Sequence, residues 1–304
     1  VAFFILGIIC QLLGAKIPFP ENLYKTLSLF LMIAIGLKGG LALQQYIDPD
    51  LITMSLAVVG FGFFLPLIAY PLLRYFGQLD KINAGAIAAH YGSVSVATYA
   101  VAVALLEASN ISYEAYFPLF VVLLEMPAII VGLLLAKGSI KLININFFKK
   151  ELIANPSILL MVGGLIIGYL GGQSVQKIAP FFIELFSGVL ALFLLKMGLI
   201  AGQQLSSLKE NSLFLVCFAV LMPMIGGMAG TALGYTLGFS AGGISLMAIL
   251  GASASYIAVP AAMKESLPEA NAGMSITASL GITFPVNVLF NVPFFIALGQ
   301  YVSH

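Results

Sequence analysis

GASASYIAVP, residues 251–260, places Gly251, Ser253, Ser255 and Pro260 within an otherwise apolar segment. In hydrocarbon every backbone N–H and C=O must be bonded inside the protein. Glycine weakens a helix and proline removes an N–H, so a spanning helix gains no stability from this run. The stretch predicts an interrupted membrane helix. Such a break is tolerated only where protein or a polar cavity satisfies the freed groups.

The membrane setting follows from composition. The chain has 304 residues, of which 61% are hydrophobic and 8% charged, with mean hydropathy +1.09. A soluble domain carries about 25% charged residues. So few charges cannot cover a water-facing surface, and the sequence reads as an all-α polytopic membrane protein. A net charge of +1 gives nucleic acid nothing to bind. Cys10 and Cys217 fall in apolar spans and read as small hydrophobes. No signal peptide is recognised. The chain enters an apolar segment directly at Val1, which is the expectation for a start lacking a few residues.

Charge, Pro and Asn in the connections delimit ten spans, at 1–14, 22–46, 51–76, 81–107, 113–137, 156–171, 177–207, 211–238, 241–265 and 271–301. One alternating set of connections holds Lys16, Arg74, Lys81, Lys137, Lys141, Lys149, Lys150, Lys209 and Lys264; the other holds Lys177. The basic set is expected in the cytoplasm, with both termini on the other side of the plasma (inner) membrane.

The two halves of the chain parallel each other. IGLKGGLALQQ at 35–45 matches MGLIAGQQL at 197–205, and YGSVSVATYAV at 91–101 matches GASASYIAVP. VLLEMPAII at 122–130 matches VLFNVPFFI at 288–296, which pairs Glu125 with Asn291 and Pro127 with Pro293. The shared order predicts a first repeat over 1–137, a cytoplasmic linker over 138–155 and a second repeat over 156–304. Five spans per copy is an odd number, so the second copy enters the membrane inverted. Inverted repeats with helices interrupted at matching places point to a secondary transporter with a midplane site.

The fourth span carries Gly92, Ser93, Val94 and Ser95, with Thr98 one turn on; the ninth carries Ala252, Ser253, Ala254 and Ser255. Half-helices whose N-terminal ends face each other offer bare amides and positive dipole ends to an anion. These eight residues, Gly92–Ser95 and Ala252–Ser255, are the candidate substrate ligands. Close helix packing is the alternative reading of the small residues.

Ionisable groups inside a membrane are functional candidates. Glu125, beside Pro127, joins Thr98, Thr283, Asn287 and Asn291 as candidate oxygen ligands of Na+, a hard cation. The other reading of Glu125 is a structural hydrogen bond between helices. Lys38, Lys196 and His90 either line a cavity or serve packing and interfaces. Asp48, Asp50, Glu107, Glu114, Glu265 and Glu269 fall at helix ends and read as solvated. There is no Walker-type phosphate loop, no HExxH and no Gly-x-Ser-x-Gly elbow, so neither an ATP-driven pump nor an enzyme is expected.

IPFPENLYKTLSLFLMIAIGLKGGLAL, GSVSVATYAVAVALLEASNISYEAYFPLFVVLLEMPAIIVGLLLA and GASASYIAVPAAMKESLPEANAGMSITASLGITFPVNVLFNVPFF resemble the sodium-dependent bicarbonate transporters of the cyanobacterial SbtA type and their bacterial relatives. The resemblance covers nearly the whole chain. It implies ten helices in two inverted five-helix repeats, separate core and gate domains, a homotrimer and elevator-like movement of the core. Gly92, Ser95, Thr98, Ser253 and Ser255 match the family's breaks, which would hold bicarbonate and Na+. Glu125 stands where cyanobacterial members have Asp before Ile-Pro. Tyr256 replaces an Asp, and Val259-Pro260-Ala261 replaces Gly-Pro-Pro. The connector over 137–155 is short beside the family's acidic, serine-rich loop, which bears on any PII-like regulatory partner. The expected function is Na+-coupled bicarbonate uptake by symport. Symport of another small anion such as a carboxylate, and anion sensing without flux, are the alternatives.

Overall fold

The computed structural model describes residues 1–15, 17–44, 49–138, 156–207 and 213–303. Except for Gly138, the expected linker lies outside the described residues, as do Lys16, Asp48 and Lys209. All regular structure among the described residues is helical: α1 (Ala2–Leu12), α2 (Glu21–Leu43), α3 (Leu51–Pro71), α4 (Lys81–Gly92), α5 (Val96–Ala108), α6 (Phe117–Lys137), α7 (Pro156–Gln176), α8 (Ala179–Glu184), α9 (Phe186–Ser207), α10 (Leu213–Thr236), α11 (Ala241–Gly251), α12 (Ala258–Ser266) and α13 (Ala272–Val302). Among the described residues, seven stretches are long and apolar enough to cross a bilayer. One of them, Lys81–Ala108, joins α4 and α5 across a break; Ala2–Leu12, Ile158–Gly171 and Ala241–Gly251 are shorter apolar helices. This is the architecture of a polytopic membrane protein.

Proline shapes the long helices. Pro285 and Pro293 of α13 cannot donate to Gly281 and Leu289, and the helix widens into π turns at Thr277–Thr283 and Asn287–Asn291. Pro71 likewise precedes a π turn at Leu72–Phe76.

Two groups of helices pack differently. In the first, α2 lies against α7 and α1 against α9. A β-carbon on Gly36 or Gly40 would strike the Met161 or Leu165 carbonyl, and one on Gly164 or Gly168 would strike the Ile33 or Leu37 carbonyl. The α1–α9 crossing repeats the device with Gly7 and Gly198 against the Leu195 and Phe4 carbonyls. Small residues let these backbones touch, which stiffens the pairs. In the second group α3, α4 and α6 pack together, as do α10, α11 and α13.

Caps join the second group across the sequence. Asp80 Oδ1 accepts from the amides of Ile82 and Asn83, both at 3.0 Å, starting α4. Asn83 Oδ1 then accepts from the Asn271 amide at 2.7 Å, at the entrance to α13. On the other pair, Ser240 Oγ caps α11 and Glu114 Oε1 accepts from the Ser240 amide at 2.6 Å, just before α6. The start of α13 is thereby tied to α4 and the start of α11 to the segment before α6, and each of these two ties reaches the other half of the chain.

Candidate functional site

Both interruptions are present. Helix α4 stops at Gly92, Ser93 and Ser95 are extended (φ −99°, ψ 167° and φ −107°, ψ 110°), and α5 starts at Val96. Helix α11 stops at Gly251 and α12 starts at Ala258. Pro260 sits in the first turn of α12, where its missing N–H would have had no helical partner. It starts the second half-helix and is not part of the break, which corrects the sequence-based placement. Gly251 and Gly226 of α10 meet backbone to backbone, each where a β-carbon would strike the other's carbonyl.

The breaks are bonded to each other. The Ser255 amide donates to the His90 carbonyl at 2.8 Å. His90 Nδ1 lies 2.6 Å from the Ser255 carbonyl, which only accepts, so Nδ1 carries the proton. His90 is 1% exposed. It thus both bonds a neighbouring helix and lines a cavity of about 260 Å³ with Pro260, Lys264 and Ser275.

A narrow pocket lies where the breaks meet, lined by Met32, Val94, Ser95, Val96, Glu125, Ser255, Tyr256, Ile257 and Ala258. Its volume of about 10 Å³ is roughly that of one water. Val96 and Ala258 are the first residues of α5 and α12, so both positive helix ends face this space. Their first-turn amides have no carbonyl four residues back within the helix. Glu125, 4% exposed, reaches the pocket from α6. The arrangement brings two sources of N–H donors and one carboxyl to a single point, with the chemistry to hold an anion and a cation side by side.

The hydroxyls are more committed than the sequence indicated. Ser95 Oγ accepts from the Thr98 amide and from Thr98 Oγ1, at 3.1 and 2.9 Å, and donates to the Tyr256 hydroxyl at 3.2 Å. Ser253 Oγ donates to the Ile249 carbonyl at 2.8 Å. Ser255 Oγ accepts weakly from the Val259 amide at 3.4 Å. Ser93 Oγ is buried without a hydrogen-bond partner. Of the two serines that line the pocket, Ser95 has spent its hydrogen and Ser255 keeps its own, so first-turn amides and one serine hydroxyl make up the donor lining.

Thr283, Asn287 and Asn291 form a ladder on α13 at spacing four and are not among the residues that line the Glu125 pocket. Asn287 Nδ2 donates to the Ala252 carbonyl at 2.8 Å, taking up a group freed at the end of α11. Asn291 Nδ2 donates to Asn287 Oδ1 at 2.7 Å. Thr283 Oγ1 donates to the Ala219 carbonyl at 2.6 Å and lies 2.8 Å from the Tyr91 hydroxyl.

Two carboxylates expected in solvent have partners. Glu107 binds Lys38 Nζ at 2.9 and 3.1 Å and accepts from the Tyr113 hydroxyl at 3.0 Å. Lys38 also lies over the Phe186 ring at 4.7 Å, so its charge is neutralised and not exposed as a free lining cation. Glu114 bonds Ser240, and its Oε2 is buried without a partner. These pairings cross long sequence separations and carry no local signal. Lys196 lies over the Phe19 ring at 5.5 Å. Met32 of α2 was not a sequence candidate for the pocket; it is one apolar residue among many in its span.

Residues 1–300 match the sequence profile of the Na+-dependent bicarbonate transporter superfamily. The chain belongs to that superfamily. A Na+-dependent bicarbonate transporter is a membrane transporter and not an enzyme, and bicarbonate and Na+ are the ions its family name gives. No curated protein matches this superfamily member significantly.

Proposed function

We propose that the chain is a Na+-coupled bicarbonate symporter that loads both ions between the two breaks. The single observation that carries this reading is that the starts of α5 and α12 and the Glu125 carboxyl line one buried pocket. The helix ends would take the anion and Glu125 the cation. Cavities of about 200 Å³ beside Lys38, Tyr99 and Tyr113, and about 260 Å³ beside His90 and Lys264, support access from two directions.

Two inverted five-helix repeats are supported by the reciprocal packing of α1 on α9 and α2 on α7, and by the matching ties of Asn83 to Asn271 and Glu114 to Ser240. The stiff α1, α2, α7, α9 group serves as the gate. The body holding both breaks moves past it as an elevator. The basic connections support both termini lying outside the cytoplasm, and an inward Na+ gradient would set the direction of transport inward. The family resemblance supports a homotrimer, and the short connector over 137–155 weighs against carrying over a PII-like partner.

Coupling answers an energetic need. Moving bicarbonate into a negative interior costs about 2.3 kcal/mol per 100 mV, and one Na+ moving with it cancels that term. In proteoliposomes, an inward Na+ gradient should drive accumulation of labelled bicarbonate. Equal accumulation with and without the gradient refutes the proposal, and preferential uptake of another carboxylate reassigns the substrate.

A further inference from the structure

We propose that the phenol O–H of Tyr256 is the donor that selects an oxyanion in the pocket between the breaks, an inference that rests on reading that pocket as the substrate site. Tyr256 is 9% exposed, and its ring is held edge-on to Phe284 with centroids 5.3 Å apart. Its hydroxyl lies 3.2 Å from Ser95 Oγ.

The hydrogens around Ser95 decide the matter. A serine oxygen has two lone pairs and one hydrogen. Both lone pairs are taken, by the Thr98 amide and Thr98 Oγ1, and the hydrogen goes to the Tyr256 oxygen. The phenol hydrogen therefore cannot return to Ser95. The chain from Thr98 through Ser95 to Tyr256 is directed, and it ends in a donor at a pocket whose other polar supply is first-turn amides, the Ser255 hydroxyl and the Glu125 carboxyl. A neutral donor whose oxygen already accepts a bond suits an anion better than a cation, so Na+ is left to Glu125. The ligand class is a small anion with an oxygen acceptor, bicarbonate or a short carboxylate. The ring also sets size. A space of about 10 Å³ opens even to bicarbonate only as its lining parts, and the Tyr256 ring is the largest side chain of that lining, so removing it leaves room for a larger carboxylate.

The test compares wild type, Tyr256→Phe and Tyr256→Ala in proteoliposomes under one Na+ gradient, with labelled bicarbonate and labelled pyruvate. Tyr256→Phe keeps the ring against Phe284 and removes only the donor. Half-saturating bicarbonate should rise about tenfold or more, the size of a lost hydrogen bond to a charged ligand. Half-saturating Na+, measured at saturating bicarbonate, should stay within about twofold. Tyr256→Ala should admit pyruvate that wild type excludes. Unchanged bicarbonate saturation in Tyr256→Phe overturns the inference while wild type remains active, as does a shift confined to Na+. Failure of Tyr256→Ala to admit pyruvate overturns the assignment of size. Wild type without Na+-dependent bicarbonate uptake removes the functional reading and this inference with it.

Discussion

His90 and Ser255 are joined twice, the Ser255 amide to the His90 carbonyl at 2.8 Å and His90 Nδ1 to the Ser255 carbonyl at 2.6 Å. The two interruptions, 165 residues apart in the chain, are thereby held as one unit. Replacing His90 by Ala leaves the buried Ser255 carbonyl without its side-chain donor. The expected loss is about 1–3 kcal/mol of stability. Thermal unfolding of purified His90→Ala in detergent checks this, and His90→Asn, which retains an N–H donor, should recover part of the loss.

Among the described residues, Glu125 is the one carboxyl lining the pocket between the breaks. Glu125→Gln keeps the shape and removes the charge. Half-saturating Na+ for bicarbonate uptake should rise at least about tenfold, well inside the Coulomb energy of close charges in a partly buried site. A Na+ titration of uptake rates measures it.

Lys38 of α2 and Glu107 of α5 join the proposed gate to the proposed moving body, with Glu107 40% exposed and Lys38 19%. An exposed pair of this kind contributes at most about 1 kcal/mol. A double-mutant cycle with Lys38→Met and Glu107→Gln, read by thermal unfolding, should give a coupling below that bound. If the body slides, the pair must break on each cycle, so the double variant should keep uptake at or above the wild-type rate.

Asp80 starts α4, and its carboxyl is held below the usual 3.8, first by the Asn83 amide. A carboxyl with a depressed folded pKa stabilises the fold above its unfolded value and loses that effect as pH falls through the folded value. Asp80→Ala should cost about 1 kcal/mol at neutral pH. The gap between the two proteins should narrow as pH drops below 3.8 and close once pH has fallen through the lower folded value, where the wild-type cap is protonated. Unfolding temperatures across that range report it.

What could be read from the sequence was local. The membrane class follows from 8% charged residues. Both breaks are visible because glycine and serine crowd into apolar spans, and Glu125 because a carboxyl in such a span is costly. The use of each group was not visible. Ser95 and Ser253 look like open donors until the folded chain gives Ser95 to Tyr256 and Ser253 to Ile249. Glu107 and Glu114 look solvated at helix ends until Lys38 and Ser240 arrive from elsewhere in the chain. Asn287 reads as a cation ligand, and its amide is found on the Ala252 carbonyl. Hydrogen bonds between distant segments leave no periodicity to detect.

The central claim is that one pocket holds an anion on helix ends and Na+ on Glu125, each strengthening the other. Linkage requires the two effects to be equal. Binding of bicarbonate to purified protein should be measured by calorimetry over a series of Na+ concentrations, and Na+ binding over a series of bicarbonate concentrations. The account predicts that each ion raises the affinity of the other by the same factor, and that Glu125→Gln abolishes the factor. Bicarbonate affinity that does not change with Na+ would contradict it.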